Sequence, residues 1–124
     1  MILGVGTDIL QISRIEQALE RTPKLAERIL TSREQALFSA EKQPARFLAK
    51  RFAAKEAVTK ALGTGIGRGV SWHHIEIDKG ELGRPLVALN GGAADRASEL
   101  GIANIQISYS DEKEYIVAFV VAEG

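Results

Sequence analysis

Two acidic residues that lie far apart in the sequence, Asp8 and Glu56, have the residue type and setting for metal chemistry. Glu56 falls near the middle of a helical face that also carries Leu48 and Phe52, because successive helical residues are about 100° apart. An ionised carboxylate on such a core-facing stripe is costly unless a cation, a metal ion or hydrogen-bond donors satisfy it. The pattern therefore indicates that Glu56 has a partner elsewhere in the fold.

The first predicted strand supplies a second carboxylate. Side chains alternate along a strand, so Gly4, Gly6 and Asp8 lie on one side of it, with Asp8 at its end. Two successive glycines on one face permit close approach by another backbone, and the long helix presents small alanine side chains. We expect this packing to bring Asp8 near Glu56. Two carboxylates, with phosphate oxygens and water, suit Mg²⁺, a hard ion that prefers oxygen ligands.

Each carboxylate also has a purely structural interpretation. Glu56 and Lys60 are four residues apart and could form an exposed helical ion pair, which contributes only about 0.2–0.5 kcal/mol. Asp8 could instead cap the N-terminus of the helix that follows it. The sequence alone leaves both interpretations open.

Two further groups of residues have weaker functional signals. The glycine-rich segment 63–69 could form an anion-binding nest of backbone amides, but it lacks the Walker lysine-serine arrangement and is also interpretable as a simple helix exit. His73 and His74 fall in a predicted strand and so should point to opposite faces. With no matching histidine or cysteine elsewhere, we interpret both as structural or surface residues.

The apolar periodicities predict an α+β fold in the order strand, helices, two strands, helix, two strands. Thr22-Pro23 predicts one helix start, and Thr31 with Glu34 predicts a capping box at another. The longest helix should begin at Pro44 and end near residue 62. The other predicted segments are strands at residues 1–7, 72–77, 85–89, 104–110 and 115–122 and helices around apolar positions 12, 15 and 19 and at 93–100.

These elements should form one domain over residues 1–124, with helices on one side of a mainly antiparallel sheet and the longest helix at the centre. The composition, 45% hydrophobic and 26% charged, is typical of soluble globular proteins. The chain has no cysteine, so a disulfide framework and a cysteine nucleophile are excluded. No apolar run approaches the roughly 20 residues needed to span a bilayer and no signal-peptide pattern is present, so we expect a cytoplasmic protein.

The zero net charge conceals an asymmetry along the chain. Residues 1–70 contain 12 basic and 7 acidic residues, whereas residues 71–124 contain 4 and 9. Such a cationic half favours an anionic ligand or an acidic partner protein, although a solvated helix face would give the same pattern. Nucleic acid is less favoured, because the basic segment lacks interleaved aromatic residues and a recognised binding motif.

A family resemblance rests on three motifs that contain many of the candidate residues. They are Gly6-Thr7-Asp8-Ile9 followed by Arg14-Ile15; the run RFAAKEA from Arg51 to Ala57, continuing through Lys60-Ala61 to Gly63-Thr64-Gly65; and Ile107-Ser108-Tyr109-Ser110-Asp111-Glu112 followed by Tyr115, with Leu82-Gly83-Arg84-Pro85 as a shorter match. On these motifs the chain resembles the holo-acyl-carrier-protein synthase family, the small phosphopantetheinyl transferases of bacterial fatty-acid synthesis. The resemblance spans nearly the whole chain and implies the half-size phosphopantetheinyl-transferase fold.

The resemblance implies a magnesium-dependent transfer of 4'-phosphopantetheine from coenzyme A to a serine of apo-acyl carrier protein. Asp8 and Glu56 would bind Mg²⁺ with the pyrophosphate of coenzyme A, Glu56 would be the best candidate base, and Lys60 would stabilise or protonate the leaving 3',5'-ADP. The implied coenzyme A contacts are Arg46 and Arg51 at the 3'-phosphate, Lys60 at the pyrophosphate, Gly63, Thr64 and Gly65 along the pantetheine path, and Pro85 and Ser108 in the remaining pocket.

The resemblance also implies partners. Arg14, Arg21 and Arg28 would face the acidic recognition helix of the carrier protein, and the chain would form a homotrimer with active sites between subunits. In that trimer, the stretch from Ser108 to Asp111 would complete the coenzyme A pocket of a neighbouring subunit. Many relatives have a histidine where this chain has Asp111.

Two other functions fit parts of the pattern. A non-catalytic module that binds an acidic carrier or a nucleotide would need the cationic half, but not Asp8 and Glu56 together. A magnesium-dependent nucleotide hydrolase is the other alternative, but the chain has no recognisable phosphate motif outside the family resemblance.

Overall fold

A computed structural model describes residues 1–124 and has the α+β architecture predicted from the sequence. All strand pairings are antiparallel, and the strands form two sheets: three strands in the order β1-β5-β4, and the pair β2-β3. The elements are β1 (Ile2–Gln11), α1 (Ile12–Arg21), α2 (Leu25–Ile29), α3 (Ser32–Ser39), α4 (Pro44–Leu62), β2 (Ile75–Lys79), β3 (Pro85–Leu89), α5 (Gly91–Leu100), β4 (Asn104–Asp111) and β5 (Tyr115–Glu123). None of the helices has the length and apolar character of a membrane span.

Helix α4 packs directly on the backbone of β1. A Cβ atom at Gly4 would lie 2.1 Å from the carbonyl oxygen of Ala61, and one at Gly6 would lie 1.9 Å from that of Ala57. Only glycine permits this approach. The close packing of the long helix against the first strand, predicted from the two glycines, is therefore present in the structure.

Strand β1 is longer than predicted, which changes the setting of Asp8. The strand continues to Gln11, and its ladder with β5 pairs Asp8 with Ala118 and Gln11 with Tyr115. The prediction that Asp8 ends the strand was wrong, because pairing with a distant strand extends β1 beyond its local apolar run. The residue at the N-cap of α1 is Gln11, so Asp8 is not a helix cap.

The boundaries of α3 and α4 follow their local signals. Thr31 and Glu34 form the predicted reciprocal capping box at α3. Pro44 stands at the start of α4, and Gly63 ends it with a left-handed backbone, φ 78°. These signals act within one helical turn, which is why the sequence was sufficient to predict them.

Two local predictions were wrong. The segment at Thr22-Pro23 is a turn, and α2 begins only at Leu25 after the N-cap residue Lys24. His73 and His74 lie in a 3-10 turn before β2 and not in a strand. In that turn the backbone N–H of Ser71 donates to Nδ1 of His74, 3.1 Å away, a local bond that competes with strand pairing.

The buried apolar residues form one cluster around α4. The helices cover only one face of the three-stranded sheet, and the opposite face carries apolar side chains in solvent. Ile9 is 66% exposed and Phe119 is 42% exposed, and both point away from α4. This uncovered apolar sheet face has the character of an interaction surface.

Candidate active site

The packing of α4 on β1 brings Asp8, Glu56 and Lys60 together. The ammonium group of Lys60 donates to Oδ1 of Asp8 at 3.2 Å and to the carbonyl oxygen of Thr7 at 2.8 Å. Lys60 thus pairs across elements with Asp8, and Glu56 forms no ion pair. The alternative interpretation, a simple Glu56–Lys60 pair along the helix, is contradicted.

The pKa of Glu56 is shifted by burial and by the neighbouring charges of Asp8 and Lys60. Partial burial of Glu56 raises its pKa above the ordinary value, the negative charge of Asp8 raises it further, and Lys60 partly offsets both effects. Two carboxylates that repel each other in this way gain when a cation binds between them. Their oxygen donors also fit Mg²⁺ chemically, and with only two protein ligands most coordination positions would fall to water and ligand oxygens. No group of three or more potential ligands is present.

A cationic cleft of about 600 Å³ lies between α3, the start of α4 and the end of β2. Predicted contact residues Arg46 and Arg51 both line it. Its basic residues are Arg33, Lys42, Arg46, Lys50, Arg51 and Lys79, and its acidic residues are Glu41 and Asp78. This concentration of positive charge favours an anionic ligand.

Arg46 and Arg51 differ in how they are held. Arg46 donates to the carbonyl oxygens of Glu112 and Lys113, each at 2.8 Å, and pairs with Asp111. Arg51 is almost fully buried, and its guanidinium lies 4.4 Å from the ring centroid of Phe47. Arg51 therefore forms part of the rear wall of the cleft, whereas Arg46 connects the cleft to the β4–β5 turn.

A buried ion pair behind the cleft was missed in the sequence. Lys55 and Glu34 are both fully buried, and Nζ of Lys55 donates to Oε1 of Glu34 at 2.6 Å. The same ammonium group also donates to the carbonyl oxygens of Ile29 and Trp72. Burial lowers the pKa of Lys55 and the Glu34 charge opposes that shift.

Glu34 connects three elements at this point. Its carboxylate accepts the N–H of Thr31 in the capping box and the N–H of Ile77 from β2, and it lies 3.4 Å from Nε of Arg51. The sequence showed Glu34 only as part of a capping box. The single available signal was the spacing of Arg51 and Lys55, which puts two cations on one side of α4.

Tyr109, on β4, lies beside Arg51 and Glu34. Its hydroxyl is buried without a hydrogen-bond partner, and burial raises its pKa to about 12, above the ordinary value. Nε of Arg51 is likewise buried without a hydrogen bond. Tyr109 therefore remains a neutral phenol at physiological pH, and its ring packs below the ammonium group of Lys50 at 5.5 Å from the centroid.

The glycine-rich segment borders a separate polar cleft of about 350 Å³. Gly63 and Thr64 line this cleft together with Arg68 and Arg96. Arg96 donates to the carbonyl oxygen of Leu62 at 3.0 Å and so satisfies one of the free carbonyl groups at the end of α4. Gly65 has φ 64° and open space around it, and the hydroxyl of Thr64 donates to its carbonyl oxygen.

Pro85 and Ser108 share a different cleft, of about 490 Å³, on the face of the sheet that the helices leave uncovered. Phe119 also lines it. Ser108 faces away from α4, whereas Asp8 faces toward it. Within one chain the structure therefore does not bring Pro85 and Ser108 together with the Asp8 and Glu56 carboxylates.

The three arginines predicted to bind a partner lie at the surface. Arg14 and Arg21 belong to α1, and Arg28 belongs to α2. All three side chains are exposed, and none forms an intramolecular ion pair. They are available to an acidic surface.

Fold and site together define a class of protein: an α+β domain with a carboxylate pair, an adjacent lysine and a nearby cationic cleft, an arrangement typical of proteins that act on phosphate esters. The chain belongs to the 4'-phosphopantetheinyl transferase superfamily, whose family model matches residues 4–120. This assignment confirms the family resemblance read from the motifs.

Individual relatives agree along the full length. The holo-acyl-carrier-protein synthase of Shewanella woodyi is 56% identical over 132 residues, with 100% of both chains covered. The crystal structure of the Neisseria meningitidis holo-acyl-carrier-protein synthase is 43% identical, with a TM-score of 0.92 and 100% coverage of both chains. The Bacillus anthracis holo-acyl-carrier-protein synthase, solved in complex with CoA (3',5'-ADP), is 39% identical with a TM-score of 0.85, covering 100% of this chain and 98% of that one.

Proposed function

We propose that this chain transfers the 4'-phosphopantetheine group from coenzyme A to a serine of apo-acyl carrier protein, with release of adenosine 3',5'-bisphosphate, in support of fatty acid biosynthesis. The observation that carries the proposal is the meeting of Asp8, Glu56 and Lys60 in a chain that belongs to this superfamily. The names of its relatives and the ligand of the Bacillus anthracis structure agree with it.

Asp8 and Glu56 are the proposed ligands of Mg²⁺. Their carboxylates supply hard oxygen donors, and the raised pKa of Glu56 reflects a repulsion that a cation would relieve. When bound, the ion would stabilise the negative charge that builds up on the pyrophosphate oxygens during transfer. A requirement for magnesium is part of this proposal.

Lys60 and Glu56 have complementary proposed roles. Lys60 is 51% exposed on the side chain and points its ammonium group toward Asp8, so it can reach a phosphate placed beside this pair and donate to the departing oxygen. Glu56 is the proposed base for the attacking serine hydroxyl. Glu56 would therefore accept the proton of this hydroxyl, and Lys60 would donate a proton to the leaving group.

The remainder of coenzyme A would extend from this centre across the cationic surface. We propose that the nucleotide phosphate binds in the cleft lined by Arg46 and Arg51, and that Gly63, Thr64 and Gly65 border the pantetheine path. Arginine and lysine side chains in a concave site strengthen phosphate binding by charge-assisted hydrogen bonds.

A homotrimer with active sites between subunits would explain two features of the single chain. The apolar sheet face around Ile9 and Phe119 has nothing from the chain to cover it. Pro85 and Ser108, proposed coenzyme A contacts, lie on that face and away from Asp8. In an assembly through this face, they would contribute to the site of a neighbouring subunit.

The proposed carrier-binding surface is the exposed arginine group on α1 and α2, Arg14, Arg21 and Arg28. Its unpaired positive charges are complementary to an acidic carrier helix and would mainly accelerate association. Because the reaction uses coenzyme A and a carrier of fatty acid synthesis, we propose a cytoplasmic location.

Mass spectrometry tests the proposal directly. Apo-carrier protein is incubated with the chain, coenzyme A and Mg²⁺, and the expected result is the mass increase of one phosphopantetheine, abolished by EDTA. Asp8→Asn or Glu56→Gln should lose this activity while retaining the fold. Carrier binding without a mass increase would instead indicate a binding module, and phosphate release without carrier would indicate a hydrolase.

A further inference from the structure

Asp111 bridges two of the cations that line the cationic cleft. One carboxylate oxygen pairs with Arg46, and the other lies 3.1 Å from Nζ of Lys50. The three side chains are between 28% and 37% exposed, so solvent weakens these pairs without abolishing them. Asp111 therefore neutralises part of the charge of Arg46 and Lys50, in addition to the pairs formed by two other cations of the same cleft, Arg33 with Asp78 and Arg51 with Glu34.

The spacing of Arg46 and Lys50 along α4 explains why a carboxylate between them is favourable. Arg46 and Lys50 are one helical turn apart on α4, and like charges at this spacing repel. Asp111 relieves the repulsion in the absence of a ligand. Arg46 is held further by the carbonyl oxygens of Glu112 and Lys113, so the β4–β5 turn is docked on α4 around this charge cluster.

We infer that Asp111 sets the affinity and selectivity of the cleft for the ribose phosphate of the nucleotide, because its carboxylate competes with that phosphate for Arg46 and Lys50. The inference rests on the proposed function to the extent that the nucleotide end of coenzyme A occupies this cleft. A phosphate monoester bound there must displace the carboxylate or share the two cations with it. Asp111 is thus a specificity-determining residue, and it acts by occupying the cations that the phosphate needs.

The test compares Asp111→Asn with Glu112→Gln, a neighbouring substitution that removes the same charge. The side chain of Glu112 forms no ion pair, and its carbonyl contact with Arg46 is unaffected by the change. Calorimetric titration with adenosine 3',5'-bisphosphate and with adenosine 5'-monophosphate, which lacks the 3'-phosphate, separates the effect on the ribose phosphate from a general effect on nucleotide binding.

Asp111→Asn should tighten binding of the bisphosphate by about threefold to tenfold, which lies within the effect that two partly exposed ion pairs can have. It should leave the affinity for the monophosphate nearly unchanged. The affinity for the bisphosphate should fall more steeply with rising salt concentration than it does in the wild-type chain. In transfer assays, the KM for coenzyme A should fall while the KM for dephospho-coenzyme A stays constant. Glu112→Gln should change each of these quantities by less than about half of the Asp111→Asn effect, because it adds only a distant, screened charge.

A double substitution tests the inference even if Asp111→Asn loosens the β4–β5 turn. In a Lys50→Met background, one of the two competed cations is gone, so the gain from Asp111→Asn should shrink. Unchanged or weaker bisphosphate binding by Asp111→Asn, or a gain of equal size in Glu112→Gln, overturns the inference. A wild-type chain that binds the bisphosphate but transfers no phosphopantetheine would overturn the proposed function alone.

Discussion

Replacing Gly6 with alanine would add a methyl group 1.9 Å from the carbonyl oxygen of Ala57 in α4. Ordinary contact begins at 3.4 Å, so the strand and the helix would have to separate locally by about 1.5 Å. No side-chain rotation can relieve this clash, because the opposing atom belongs to the helix backbone. Overpacking of this kind costs about 1–3 kcal/mol, and the rigid partner favours the upper end.

The same displacement should impair the proposed chemistry, because Asp8 is two residues along β1 and Glu56 adjoins Ala57 on α4. A misplacement of about 1 Å in a catalytic site can reduce turnover by about 10²-fold. We therefore expect Gly6→Ala to lower both the free energy of unfolding, measured with urea, and the kcat of phosphopantetheine transfer. The backbone of Gly6 is extended and compatible with alanine, so any loss must arise from packing.

The control is Ala57→Gly in the Gly6→Ala background. It removes the side chain at position 57 but leaves its carbonyl oxygen in place, so it should rescue neither stability nor kcat. Rescue by this second change, or wild-type stability and turnover in Gly6→Ala alone, would refute the reasoning from backbone contact.

Three further predictions concern charged residues. In metal-free protein, the raised pKa of Glu56 means that its carboxyl group ionises less readily in the folded state than in the unfolded state. The free energy of unfolding should therefore fall as pH rises from the ordinary carboxyl range through the raised pKa. Glu56→Gln should reduce this fall in denaturation series run with EDTA, and an identical pH dependence in the variant would contradict the prediction. Lys55→Met should cost about 3–5 kcal/mol in chemical denaturation, because it removes the closer of the two cations that pair with buried Glu34 and leaves only Arg51. Adding Glu34→Gln should recover part of the loss, and strictly additive losses would show that the pair is not coupled. Arg14→Glu with Arg21→Glu should slow carrier association, measured by stopped flow, with a reduced dependence on salt, and an unchanged rate would exclude that docking surface.

The sequence determined those features that depend on neighbours within one turn or on alternating side chains. The capping box at Thr31 and the limits of α4 at Pro44 and Gly63 were correct because their signals are local. The family was also evident, since its motifs are contiguous runs of residues. The glycine pair of β1 correctly predicted close helix packing, because no other residue type permits that approach.

Only the tertiary structure decided which distant groups meet. The end of β1 depends on the ladder with β5, so Asp8 lies within a strand and not at its end. The burial of Lys55 against Glu34 and the capture of Arg46 by Asp111 join residues separated by at least 21 positions. From the sequence alone, each of these charged residues can be interpreted as solvent-exposed. The free-energy cost of burying the charge and the identity of its ion-pair partner depend on the elements that pack around it.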